Sequence, residues 1–139
     1  MSMPMDTNSV IRNIIKSTMF GMILMICPVL AHAVTVRGEV SFYGAECCRF
    51  NKDARCPTAN GESLYSLIKE GVPYVAMWEV PFGTKVSIKG PSGQFEGVLK
   101  DRGPNKRLKR AADLSPIIFK EVCGPLSLGV CNVEITYES

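Results

Sequence analysis

Among the acidic residues that border turns or a helix start, Glu62, Asp101 and Asp113 are groups able to do acid–base chemistry. A carboxylic acid kept protonated can donate its proton to a leaving group, the role of a general acid. Each of the three also has an ordinary explanation. Asp101 precedes Arg102-Gly103-Pro104, where an aspartate commonly helps to close a turn. Asp113 lies just before Ser115, and an acid there favours a helix start by a few tenths to about 1 kcal/mol. Glu62 follows Asn60-Gly61 and reads as an exposed loop charge. From position alone, the ordinary roles fit all three.

Thiol and imidazole chemistry is bounded by the start of the chain. Arg12 and Lys16 precede an apolar run over 19–30, and Ala31-His32-Ala33 follows. This is the layout of a secretory signal with an A-x-A cleavage site, where only small side chains fit the peptidase. The run is too short for an ordinary membrane-spanning helix. Residues 1–33 are therefore expected to be a signal peptide. Residues 34–139 are expected to act in the periplasm or outside the cell, without stable membrane insertion. Cys27 follows the bulky Ile26 rather than a small residue, so no lipid anchor is expected.

Cleavage would remove His32, the only histidine. That excludes Ser-His and Cys-His catalysis and histidine metal sites, and no cofactor is expected. Cys47, Cys48, Cys56, Cys123 and Cys131 remain, and export makes disulfides their default state. Cys123 is expected to pair with Cys131, and Cys56 with either Cys47 or Cys48. Each short loop so closed is worth at most about 2 to 3 kcal/mol. One thiol is left over or pairs between chains. The spacing lacks the C-x2-C pairs of zinc sites, so no metal is expected.

The elements that must position these groups read as mostly β. Residues 34–43, 74–78, 85–89, 94–100 and 132–137 have the β-branched and aromatic content of strands. Gly90-Pro91-Ser92-Gly93 reads as a turn joining two antiparallel strands. Residues 44–61 are loop-like, and 63–69 is either a short helix or irregular. Ser115 as N-cap, Pro116 at the first helical position and a stop at Gly124-Pro125 predict a helix of about two turns. Trp78, the single tryptophan, is either a core residue or an exposed face on which a ligand ring could stack. Lys100, Arg102, Lys106, Arg107, Lys109 and Arg110 read as a solvated face, or alternatively as a contact for anionic envelope polymers. The net charge of +3 is too small to argue for nucleic acid, and none is expected as a partner.

The motifs, taken in order, resemble the RlpA-type lytic transglycosylases. Gly38-Glu39-Val40-Ser41-Phe42-Tyr43-Gly44 is similar to their opening G-x-A-S-W-Y-G. Thr58-Ala59-Asn60-Gly61-Glu62, Pro81-Phe82-Gly83-Thr84, Asp101-Arg102-Gly103-Pro104 and Asp113-Leu114-Ser115 match T-A-N-G-E, P-F-G-T, D-R-G-P and D-L-S. The segment 86–137 also resembles bacterial expansins. The resemblance implies a six-stranded double-psi β-barrel over 34–139, with one or two short helices and a groove across one face. It implies a monomer acting on peptidoglycan or another wall polysaccharide, with Asp101, Asp113 and Glu62 as candidate acids. Ser41, Tyr43, Trp78 and Arg102 become candidate substrate contacts. One departure matters: Trp78 stands where RlpA-type enzymes carry a histidine. The activity the resemblance implies is lytic transglycosylation, in which an acid protonates the leaving glycosidic oxygen and the sugar's own hydroxyl attacks, so that one well-placed acid can serve without an activated water. The alternative is an expansin-like module that binds and loosens wall glycan without cutting it.

Overall fold

The computed structural model describes residues 32–139; all of the expected signal segment except His32 and Ala33 lies outside them. Six strands close into a barrel: β1 (Ala33–Phe42), β2 (Tyr74–Ala76), β3 (Lys85–Gly90), β4 (Gly93–Asp101), β5 (Ala112–Leu114) and β6 (Cys131–Glu138). Their order around the barrel is β1-β5-β2-β4-β3-β6, and β6 pairs back onto β1. The β1–β5 and β2–β4 pairs are parallel, and the other four are antiparallel. The expected mostly-β, six-stranded barrel is thus observed. Among the described residues no helix is long and apolar enough to cross a membrane.

The core follows the alternation of the strands. Val40, Val75, Val86, Ile88, Leu99, Leu114 and Ile135 are fully buried. Helix α2 (Pro116–Val122) adds Ile118, Phe119 and Val122 from one face. Its approach to the barrel requires Gly97 in β4. A Cβ there would meet Val75 Cγ2 at 2.5 Å and Ile118 Cδ1 at 2.9 Å. The segment left open by the sequence is helical: α1 (Leu64–Lys69) starts at Ser63, whose hydroxyl accepts from the Ser66 N–H at 3.4 Å.

Three details differ from the sequence reading. β5 is only three residues long, too short for an alternation pattern, and it is ordered by strands on both sides. β2 stops at Ala76 rather than 78, because the chain turns away once Met77 N–H has bonded Asp101 O at 3.3 Å. Ser115 precedes α2, but its hydroxyl does not cap. Its carbonyl accepts from Phe119 N–H at 3.1 Å, and the hydroxyl is buried without a hydrogen-bond partner.

Disulfides join Cys48 to Cys56 and Cys123 to Cys131, with Cα–Cα distances of 5.4 and 6.0 Å. Burial separates the two neighbouring cysteines. Cys48 packs with Cys56, Leu64, Leu67 and Tyr74 in a second small core, while Cys47 is an exposed free thiol.

Candidate functional site

Strand register lines up one row of residues across four neighbouring strands. Ser41 in β1 faces Asp113 in β5, Asp113 faces Ala76 in β2, and Ala76 faces Asp101 in β4. At about 4.8 Å per strand, the two aspartates start roughly 10 Å apart. Ala76 holds the strand position between them. The row depends on a β-bulge: Val75 faces Leu99, but Ala76 faces Asp101, so Lys100 is skipped. A bulge re-aims the side chains that follow it, and here it brings the acid rather than the lysine beside Ala76. Above this row lies a cleft of about 310 Å³, with Tyr43, Thr58, Asp101, Gly103, Pro104 and Asp113 among its lining residues.

The two aspartates are held differently. Asp101 accepts from three donors, with both carboxyl oxygens engaged. Its Oδ1 accepts from Ala59 N–H and Arg102 N–H, both at 2.8 Å, and its Oδ2 accepts from Tyr43 Oη at 2.9 Å. Burial, and next the charge of Asp101, push the Tyr43 phenol far above its ordinary range, so it stays a donor. Tyr74 is raised as well, chiefly by burial, and its hydroxyl donates to Tyr43 O at 2.6 Å. Asp113 accepts from Ser41 Oγ through Oδ1 alone, and Oδ2 has no protein partner among the described residues. Ser41 Oγ is oriented in turn by Arg110, whose Nη1 donates to it at 3.3 Å. The same guanidinium pairs with Glu39 at 3.3 Å. A chain Glu39–Arg110–Ser41–Asp113 therefore runs to the cleft and ends on an unoccupied carboxyl oxygen.

The other residues proposed from sequence lie as follows. Tyr43 lines the cleft and positions Asp101. Arg102 lines it too, but its charge is turned inward. Nη1 donates to Met77 O at 3.0 Å and Val80 O at 2.7 Å, and the guanidinium stacks 3.9 Å from the Phe82 ring centroid. This holds the 77–82 loop rather than reaching for a ligand. Trp78 is 44% exposed and stands beside the cleft, its Nε1 donating to Pro104 O at 2.6 Å. Glu62 is outside the cleft lining and bonds Lys100 Nζ at 2.8 Å. Hydrogen bonding from Lys100 holds its carboxyl below the usual range, which favours the charged form over a proton donor. Cys47 and Cys56 reach the cleft edge.

Sequence reasoning did not find the roles of Arg110, Ala59 N–H or Ala76. Arg110 was visible only as one of six basic residues, and nothing local ties it to Ser41. The pairing exists only because β1 and β5 run parallel in one register.

No protein-family model and no curated protein matches the chain. Among solved structures it is similar to an apo expansin from Clavibacter michiganensis, with 16% identity, TM-score 0.55 and 75% of this chain covered. A mutant of that expansin in complex with cellohexaose aligns at 16% identity and TM-score 0.53, again over 75% of this chain. The alignment covers 50% of each expansin chain, so this chain spans about half their length. A Streptomyces papain inhibitor aligns at 18% identity and TM-score 0.53, covering 76% of this chain and 94% of the inhibitor. At these identities the likeness is one of fold, and the fold is the expansin-like double-psi β-barrel.

Proposed function

We propose that this protein is an exported wall-glycan-binding barrel whose cleft takes a β-linked polysaccharide, with Asp113 as its reactive acid. One observation carries the reading: the row Ser41–Asp113–Ala76–Asp101 beneath an open cleft, in which Asp113 alone keeps a carboxyl oxygen without a protein partner. Asp101 serves to hold the cleft wall, because it accepts from three donors, of which Ala59 N–H ties the 58–62 loop to β4 and Tyr43 Oη ties in the end of β1. Two disulfides suit an oxidising compartment. The cellohexaose complex of the similarly folded expansin supports a polysaccharide ligand.

The finer reading is an RlpA-like lytic transglycosylase acting on peptidoglycan. It needs one acid and no water, which Asp113 satisfies in principle. Trp78 in place of the family histidine removes a second proton-handling group, and this favours binding without cleavage. The test is incubation of the purified protein with intact and peptide-stripped peptidoglycan and with cellulose, followed by sedimentation and mass spectrometry. Retention on glycan without anhydro-sugar products supports the expansin-like reading, and anhydro-sugars support the transglycosylase. Failure to sediment with any of the three refutes glycan binding.

A second class of reading, a protein-binding module like the papain inhibitor, draws on one feature. The 3₁₀ segment Ala45–Phe50, pinned by the Cys48–Cys56 disulfide, presents Phe50 at 82% exposure. Inhibition of papain that is lost in Phe50→Ala would favour it.

A further inference from the structure

Beside the cleft lies a cationic rim that glycan binding at the aspartate row does not use. From Arg102 to Arg110 the sequence holds five basic residues and no acid. Arg102 and Arg110 direct their charge into the fold, toward backbone carbonyls and toward Glu39 and Ser41. Lys106, Arg107 and Lys109 are exposed, and none of them forms an ion pair among the described residues.

Lys106 is the informative one. Its ammonium rests 4.9 Å from the centroid of the Trp78 ring. That ring is fixed by its Nε1–Pro104 bond, and Pro104 and Asn105 line the cleft. The Trp78–Lys106 pair therefore extends one wall of the cleft outward. A cation over an exposed indole face is weakly held. A sugar stacking on that face displaces the ammonium, and a neutral sugar offers it nothing in return. A sugar bearing a carboxylate gives it a charge-assisted partner, with Arg107 and Lys109 near in sequence for the next residues of the polymer. Glu79 is the acid next to Trp78 in sequence; it is exposed and unpaired among the described residues, and it opposes only part of this charge.

We infer that the Trp78–Lys106 rim is a subsite for a carboxylate-bearing glycan, with the indole stacking on the sugar ring and Lys106 pairing with its carboxylate. This rests on the reading that glycan occupies the cleft, and it adds the chemical class. Three free cations form too short a track for a phosphate backbone, whose binding scales with the number of phosphates neutralised.

Trp78 is the only tryptophan in the chain, so intrinsic fluorescence reads this subsite directly. The purified protein is titrated with four probes: cellohexaose as the neutral glycan, an oligogalacturonate, a peptide-stripped peptidoglycan fragment carrying lactyl carboxylates, and a single-stranded oligonucleotide. The expected result is that at least one acidic glycan binds about tenfold tighter than cellohexaose at low salt. The gap should close to about twofold in 0.5 M salt, as expected for exposed charges. Whichever acidic probe binds tighter identifies the source of the carboxylate. Lys106→Gln, with its melting temperature checked, should reduce the acidic preference to under about threefold. Equal affinity for neutral and acidic glycans, or an acidic preference that survives Lys106→Gln, overturns the subsite while leaving glycan binding intact. An oligonucleotide that binds as tightly as the acidic glycans overturns the glycan assignment. A lack of fluorescence response to all the glycans overturns the subsite; it refutes the cleft reading as well only if the protein also fails to sediment with glycan.

Discussion

Removing the Tyr43 hydroxyl tests whether the cleft wall is built as described. In Tyr43→Phe the ring stays, and so does the bond from Tyr74 Oη to Tyr43 O, which is made to the backbone. What is lost is one 2.9 Å hydrogen bond to Asp101. A hydrogen bond to a charged partner contributes about 1.5–3 kcal/mol when buried. Asp101 is half-buried and keeps two backbone donors, so a value at or just below the bottom of that range applies, about 1–2 kcal/mol. For a domain of this size each kcal/mol moves the melting temperature by roughly 4–8 °C. The assay is thermal unfolding of wild type, Tyr43→Phe, Asp101→Ala and the double variant. In the Asp101→Ala background the hydroxyl has no carboxylate to meet, so Tyr43→Phe should cost almost nothing. The cycle should give a coupling of about 1–2 kcal/mol. A coupling near zero would show that the Tyr43–Asp101 contact does not hold the wall.

Other expectations follow from the same geometry. Gly90→Ala places a Cβ against the Val122 carbonyl, a backbone group that cannot swing aside; a loss of about 1–3 kcal/mol is expected in denaturant unfolding, and wild-type stability would contradict the β3–α2 packing. Tyr43 and Tyr74 have phenols raised above the ordinary value of 10.0. The stability they contribute is present below pH 10 and is lost as pH rises further, so their phenolate absorbance should appear only with alkaline unfolding. Reversible titration of a folded Tyr65→Phe/Tyr137→Phe variant near pH 10 would count against that burial. Cys56→Ser opens the loop at Cys48 and should cost about 2.5 kcal/mol by chain entropy; a thiol assay that finds Cys48 rather than Cys47 reactive in the wild type would reverse the pairing. Glu62→Gln should change stability by less than about 1 kcal/mol, because the Lys100 pair is partly exposed. With a lowered carboxyl, that small contribution is present above the ordinary Glu range and fades as pH falls, so the difference between variant and wild type should be largest near neutrality and shrink on acidification.

The fold was legible where the chain carries long β patterns. The strands now seen as β1, β3, β4 and β6 were marked by β-branched alternation, and the β3–β4 turn by Gly90 and Gly93. β5 escaped because three residues carry no period, and the strand exists only through its pairing with β1 and β2. The site divides in the same way. Asp101 and Asp113 were legible through short motifs, but their unequal roles were not. That inequality arises from long-range contacts: Ala59 N–H from a loop 42 positions away in sequence, Tyr43 Oη from the end of β1, and Arg110 reaching Ser41. The bulge after Val75, which selects Asp101 over Lys100, has no sequence mark of its own. Nor could spacing choose between Cys47 and Cys48; burial against Leu64 and Tyr74 makes that choice.

The central claim is that glycan lies over the Ser41–Asp113–Ala76–Asp101 row. It is tested most directly by backbone amide NMR during titration with a soluble peptide-stripped peptidoglycan oligomer and with cellohexaose. The largest shifts are expected at Ala59, Ala76, Arg102, Gly103 and Asp113, and Asp113→Asn should weaken them while the spectrum stays that of a folded barrel. Shifts confined to the 45–50 loop or to the far side of the barrel around β3 and β6, or no shifts with either glycan, would contradict that claim.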